Sequence, residues 1–583
     1  MKKNFLFMVI VAIGLIGCNK NEVLNNNTSP SVNRSPIIEK NDSIFCEPEN
    51  ELVLGEKIDN PYSVANMQSV YDSLVNVGVI KNFDIFQNGK IVPTHYYVHI
   101  ITKDTAQYFS LINDENLTLF SFPLNYKIEK AGSYYNNPDN HDDIVNFYTV
   151  LNTSDFNYYN SLFNIEILDD CFIPDYEQLE KNGVSQEHIN ILKRIELESL
   201  NQKLLLQEGE YKEIFTDIYY VAKSDNYSNN TSGYVKVQNT LPTGLPKPFV
   251  KYDGVKRVKV RFWKFLRFYD AWTDDNGYYT KSTSFILKNI NYAVEFTNQT
   301  GFKIYDNIAF FYPAIHKLND TYTRKGVDIY ISTNPDAWYW GVINNAMLDY
   351  RVSMCPHFGV TPPPSNFTLW RMGINSNQWA GSTPMAHHVS LNATMLNNFA
   401  GIYIPAYILT GGLIAVLDWI APDMLYLDKT KKTEIVYSII FHELSHASHY
   451  MKAGNIYWQN YITGIIYNMG YGNSVNDYNA GYIGLGEMWG NFFGYKCEEY
   501  YNNYIYSNLW VYSLGDVGEW YHPELLRDLN TNALLQFTPA QIYSCLTSDV
   551  TNFKKFKEKL ISNYGTTTAK VNAINQIFTY YGF

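Results

Sequence analysis

The chain has 583 residues, of which 46% are hydrophobic and 17% charged, and a formal net charge of −12. That apolar content excludes general disorder and suits about three or four domains with sizeable cores. The negative balance argues against nucleic acid as a partner and against electrostatic adhesion to anionic lipid. Six cysteines, Cys18, Cys46, Cys171, Cys355, Cys497 and Cys545, are too scattered for a disulfide scaffold or a cysteine zinc site, although one or two bridges stay open.

Lys2 and Lys3 precede an apolar run over residues 5–16, too short for a permanent span, which closes with Leu15-Ile16-Gly17-Cys18. Residues 1–18 therefore read as a lipoprotein signal, with cleavage before Cys18 and acylation of its thiol. No Asp follows Cys18, so the expected address is the outer membrane or cell surface, held by a lipid anchor. Residues 19–45, rich in Asn, Ser and charge, predict a flexible tether.

Residues 46–180 alternate apolar and polar side chains, as in Thr94-His95-Tyr96-Tyr97-Val98-His99-Ile100, and predict an α+β domain. His95 and His99 have the spacing of helical metal ligands. On a strand, however, that spacing puts them about 13 Å apart, so both read as structural. Residues 181–234 predict a helical connector, carried by Ile189, Leu192, Ile195 and Leu200. Over 235–310, Val255-Lys256-Arg257-Val258-Lys259-Val260 alternates strictly, the turn Asp274-Asp275-Asn276-Gly277-Tyr278-Tyr279 opens a new strand, and Tyr292-Ala293-Val294-Glu295-Phe296 makes a third. The order and the D-x-x-G-x-Y turn resemble the prealbumin-like, carboxypeptidase-regulatory-like β-sandwich, for which a spacer or interaction role is expected. Residues 401–420 are mostly apolar, but Pro405, Gly411-Gly412 and Asp418 interrupt them and point to buried structure rather than a span.

His442-Glu443-Leu444-Ser445-His446 carries the chemistry. Residues 434–453 contain no Gly or Pro, and Gly454 predicts the helix stop. On that helix the two His, four residues apart, share a face and reach one ion, while Glu443 on the neighbouring face is placed to take a proton from water. A helix apolar on two adjacent faces is buried, and buried His and Glu need a partner to offset desolvation; one divalent cation is the most economical. A metzincin would need a third His six residues after His446, where Lys452 stands. The other solution takes a Glu from a second helix, and Gly484-Leu485-Gly486-Glu487-Met488-Trp489-Gly490-Asn491 offers Glu487. Gly486, Gly490 and Gly494 recur every four residues and bare one face for close approach of another helix. Asn491, one turn beyond Glu487, is expected to orient a ligating imidazole from outside the ligand set. His449 lies too far along the axis to join the same ion and reads as a core or cleft-rim residue.

His442, Glu443 and His446, followed by Glu487 and Asn491, resemble the gluzincin metallopeptidases of the thermolysin-like clan, and more narrowly the zinc-dependent metalloprotease lipoproteins of Gram-negative bacteria. In that clan the residue four after the ligand Glu is typically Asp, so Asn491 departs from the pattern. The resemblance is specific over 435–495 and extends in general organisation over 310–583. It implies a mainly helical zincin-type metallopeptidase domain over 311–583, within an α+β multidomain chain. The expected reaction is hydrolysis of a protein or peptide substrate, with one Zn²⁺ on His442, His446 and Glu487 and with Glu443 activating the bound water. The residue that meets the oxyanion is left open among Tyr478, Tyr482, His449 and His522. Residues 380–386, before His387-His388, are the candidate edge strand for the peptide, the two His facing opposite sides of that strand. The region after residue 495 predicts helices, with Thr538-Pro539-Ala540-Gln541 opening one. The competing expectation is a surface glycan- or protein-binding lipoprotein whose protease-like domain no longer turns over. The abundant aromatics, which could stack on sugars, read mainly as core.

Overall fold

The computed structural model describes residues 52–80, 86–130, 145–216 except 205, 229–241, 251–306, 312–371 except 319, 381–389, 422–501 and 520–583, with residues 132, 135 and 218. Cys18, the expected tether over 19–45 and the apolar run over 401–420 lie outside the described residues. The described residues are mixed, 44% helical and 23% strand. Among the described residues helices and strands are interspersed up to Met424–Tyr426, and no strand follows it.

Near the N-terminus, the strand His95–Thr102 sits between Val145–Asn152 and Asn164–Cys171 in an antiparallel sheet. His95 and His99 are thus on a strand, as their β-branched and aromatic neighbours predict. His99 stacks on Tyr148 with ring centres 4.8 Å apart and meets Asn146 Oδ1 at 2.6 Å, a structural arrangement. The helix Gln186–Leu204 is present, but it does not behave as a mere connector. Its stripe of Ile189, Leu192, Ile195 and Leu200 packs into the same core as Met67 and Val70 of helix Val64–Asn76. An apolar stripe of that width has to be covered, and the nearest cover is the domain that precedes it.

One sheet carries the architecture towards the site. Its strands run in the order Arg267–Trp272, Val258–Lys264, Asn289–Asn298, Lys303–Asp306, Thr368–Arg371, Met424–Tyr426 and Gly381–Ser382. Lys303–Asp306, Thr368–Arg371 and Met424–Tyr426 pair in parallel, and Gly381–Ser382 closes the row antiparallel. A parallel pair needs a crossover. Between Asp306 and Thr368 it includes helix Ala337–Asp349, every residue of which is buried; Trp338, Tyr339, Trp340, Val342 and Ile343 leave it no polar face to show.

The expected boundary at residue 310 is therefore not a boundary of the sheet. Strands assigned by sequence to a separate sandwich over 235–310 continue hydrogen-bonded through Lys303–Asp306 into Thr368–Arg371. Strand alternation reports which face is buried and says nothing of which neighbour a strand will take. The predicted turn itself is present. Asp274 Oδ1 accepts from the backbone N–H of Asn276 and of Tyr278, both at 2.8 Å, and Gly277 has φ 80°. A Cβ on Gly277 would lie 2.3 Å from the carbonyl oxygen of Val235. The strands on either side of this turn enter different sheets, because Tyr278–Thr283 pairs with Asn229–Gln238.

The C-terminal region is helical, with Thr433–Asn468, Ala480–Tyr501, Glu524–Thr531, Pro539–Ser544, Phe553–Tyr564 and Thr568–Tyr580. Thr538 caps its helix through the backbone N–H of Gln541 while Gln541 answers the N–H of Thr538. This region buttresses the first two helices: Tyr543 donates to the carbonyl of Ser448 at 2.7 Å and its ring lies 5.3 Å from that of Trp489. Cys171, Cys355, Cys497 and Cys545 are all buried free thiols. Among the described residues no helix is long and apolar enough to cross a membrane.

Candidate metal centre

The two helices that meet at the site are Thr433–Asn468 and Ala480–Tyr501. Gly454 acts as predicted in part. It breaks the helical backbone with φ 79° and ψ 179°, yet the chain re-enters the helix and runs on to Asn468. Nothing within 4 Å of Gly454 would contest a side chain, so the glycine is there for its left-handed φ.

The close approach of the two helices rests on the three glycines. A Cβ on Gly490 would sit 2.6 Å from Cε1 of His446 and 3.2 Å from Cε1 of His442. On Gly494 it would sit 3.0 Å from the Cα of His442, and on Gly486 it would sit 2.7 Å from the ring of Tyr461. Each missing side chain is thus replaced by a part of the site, which is the packing reason for accepting three helix-weakening residues.

This approach brings His442, His446 and Glu487 together, with one ligand atom from each within 4.8 Å of the others. His442 Nε2 and His446 Nε2 are 3.1 Å apart. Glu487 Oε2 lies 3.8 Å from His442 Nε2, and Glu487 Oε1 lies 3.6 Å from His446 Nε2. Ligand atoms about 2.0–2.2 Å from a tetrahedral zinc stand about 3.3–3.6 Å from one another, so the donor set and its spacing fit one such ion with little movement. Glu487 is fully buried, and burial drives the His446 imidazole down to about 3, which keeps its ring neutral and able to offer a lone pair. The three residues form a cluster able to hold a metal ion.

Glu443 lies beside this cluster, also buried. Its Oε2 accepts from Thr383 Oγ1 at 2.9 Å, and a Cβ on Gly381 would meet its Oε1 at 3.0 Å. Burial raises its carboxyl to about 8, with the Thr383 hydrogen bond working in the opposite direction. At neutral pH such a group is largely protonated. A cation held nearby would favour its ionised form.

Gly381–Ser382 is the last strand of the sheet among the described residues, and it packs on the helix that carries the two His. The strand is shorter than the expected 380–386. Residues 386–389 turn instead, so His387 and His388 do not face opposite sides of a strand; their ring centres lie 4.9 Å apart. His388 Nδ1 meets the buried Asp423 at 2.9 Å and its Nε2 meets Asn366 at 2.9 Å, which places it outside the metal cluster.

Asn491 does not make the expected contact to His446. Its Nδ2 donates to the backbone carbonyl of Glu487 at 2.9 Å, a bond within its own helix, and His446 Nδ1 has no hydrogen-bond partner among the described residues. An amide can donate where an Asp cannot, and a carbonyl one turn back is the nearest acceptor. His449 is a core residue, fully buried between Tyr457 and Trp458, and neither nitrogen is hydrogen-bonded among the described residues.

Of the other candidates for meeting an oxyanion, Tyr478 is half exposed and stacks on Tyr467, Tyr482 packs on Tyr457, and His522 packs against Tyr581 and Phe583. The tyrosine that does reach the ligands is one that sequence reasoning passed over. Tyr461 Oη donates to Glu487 Oε1 at 2.5 Å, its ring centre is 6.0 Å from that of His446, and it stacks on Trp458 at 4.6 Å. Trp458 and Tyr461 stand three residues apart beyond Gly454. An aromatic pair at helical spacing after the expected stop was the available signal. No protein-family model, no curated protein and no solved structure matches this chain.

Proposed function

We propose that the chain is a zinc-dependent peptidase of the gluzincin type, with Zn²⁺ on His442, His446 and Glu487 and with Glu443 as its general base. The observation that carries this reading is the convergence of two imidazoles and a carboxylate, from two helices, beside a second buried carboxylate that does not point at the same position. Zinc held there supplies a positive charge that acidifies water and polarises a carbonyl oxygen. Thr383 occupies one oxygen of Glu443, and the other would accept a proton from water and return one to the departing amine. Among the described residues Gly381–Ser382 is the outermost strand of the sheet beside that carboxylate, and main-chain pairing along it would hold an extended peptide regardless of its side chains. The address of the enzyme, a lipid-anchored position at the outer membrane or cell surface, rests on Cys18 and the run before it.

Purified protein assayed on an unstructured protein substrate tests the reading. The wild type is expected to cleave it, chelation to abolish cleavage, and Glu443→Gln to lower the rate by about 10²–10⁴-fold with metal content unchanged. The second reading, a binding lipoprotein with a silent protease-like domain, draws on the missing Asn491 contact to His446. A wild type no faster than Glu443→Gln decides for it.

A further inference from the structure

We propose that Tyr461 is a positioning residue that holds Glu487 to the metal through a single oxygen, and so keeps a coordination position open for water. The inference rests on the metal reading above and adds to it what determines the coordination number. A carboxylate can bind zinc through one oxygen or two, and a second bond takes the place that a hydrolytic site must leave vacant. Tyr461 Oη lies 2.5 Å from Glu487 Oε1, a short charge-assisted hydrogen bond inside a fully buried setting. The bond engages Oε1, while Oε2 stands 3.8 Å from His442 Nε2.

The fold is built to bring the phenol there. The break at Gly454 re-aims the second half of the helix, and Trp458 and Tyr461 stack with planes 20° apart. The ring of Tyr461 lies against Gly486, the residue before Glu487, where a Cβ would come within 2.7 Å. Trp458 Nε1 reaches the carbonyl of Thr383 at 3.4 Å, and Thr383 holds Glu443. One aromatic pair therefore braces the ligand carboxylate on one side and the base on the other.

Tyr461→Phe removes the hydroxyl and keeps the stack, so the full chain is expected to fold. Zinc affinity, measured by competition with a chromogenic chelator, is expected to fall about 10–100-fold, as when other outer partners of metal ligands are removed. The visible absorption of the cobalt(II)-substituted protein is expected to weaken, as it does when four-coordinate cobalt gains a fifth bond. Tyr457→Phe, on the same helix as Tyr461, removes a hydroxyl bonded to the carbonyl of Tyr482 on the other helix and is expected to change neither quantity. A Tyr461→Phe cobalt spectrum identical to the wild type overturns the proposal and leaves the metal reading standing. A wild-type chain that binds neither cobalt nor zinc overturns both.

Discussion

Two of the buried carboxylates, Glu196 and Glu487, are treated in opposite ways. Glu196 accepts from Tyr62 at 2.7 Å, from Tyr176 at 2.5 Å and from the guanidinium of Arg267 at 2.9 Å. Glu487 accepts from one phenol and faces two imidazole nitrogens at 3.6 and 3.8 Å, distances suited to ligands of a shared ion rather than to hydrogen bonds. At Glu196 the chain itself supplies the compensating charge, and the result is a joint between helix Gln186–Leu204 and strand Arg267–Trp272. At Glu487 the described neighbours are a phenol and two imidazoles, and with those imidazoles it forms a set able to hold a metal ion. Buried charge alone therefore does not mark a site; buried charge that faces two imidazole nitrogens at ligand spacing does.

The largest expected effect separates the two. Glu196→Ala leaves Arg267 buried without its partner and is expected to cost about 3–5 kcal/mol in urea unfolding. Glu487→Ala in metal-free protein is expected to cost much less, about 1 kcal/mol, while abolishing metal uptake. Equal losses of stability would erase the distinction. Gly490→Ala is next: its Cβ has no room against His446, so about 1–3 kcal/mol of stability and at least about tenfold in metal affinity are expected to go, read by thermal melts and chelator competition. Smallest is Gly209→Ala, in the exposed helix Glu208–Thr216 with nothing within 4 Å, which is expected to stabilise by about 0.5–1 kcal/mol and leave metal binding alone. A stabilising Gly490→Ala would show that the close helix approach has no role.

What could be read from the chain beforehand was what depends on local spacing. Two His four residues apart on a breaker-free segment, a Glu between glycines at helical period, and His95 and His99 on a strand are all local patterns. What could not be read depends on partners chosen in three dimensions. Whether Gly454 ends a helix or bends it is decided by what Trp458 and Tyr461 pack against. Whether Asn491 turns to an imidazole or to the carbonyl behind it depends on angles that spacing does not contain. The continuity of the sheet across residue 310 is of the same kind, since Lys303–Asp306 finds its parallel partner Thr368–Arg371 more than sixty residues later.

The account stands on a single ion between the two helices, and metal analysis of the full chain tests it most directly. After dialysis against metal-free buffer and titration with zinc, one tightly held zinc per chain is expected in the wild type, and none in His442→Ala or Glu487→Ala variants that remain folded. No bound zinc in the wild type, or the same amount in all three proteins, would contradict it.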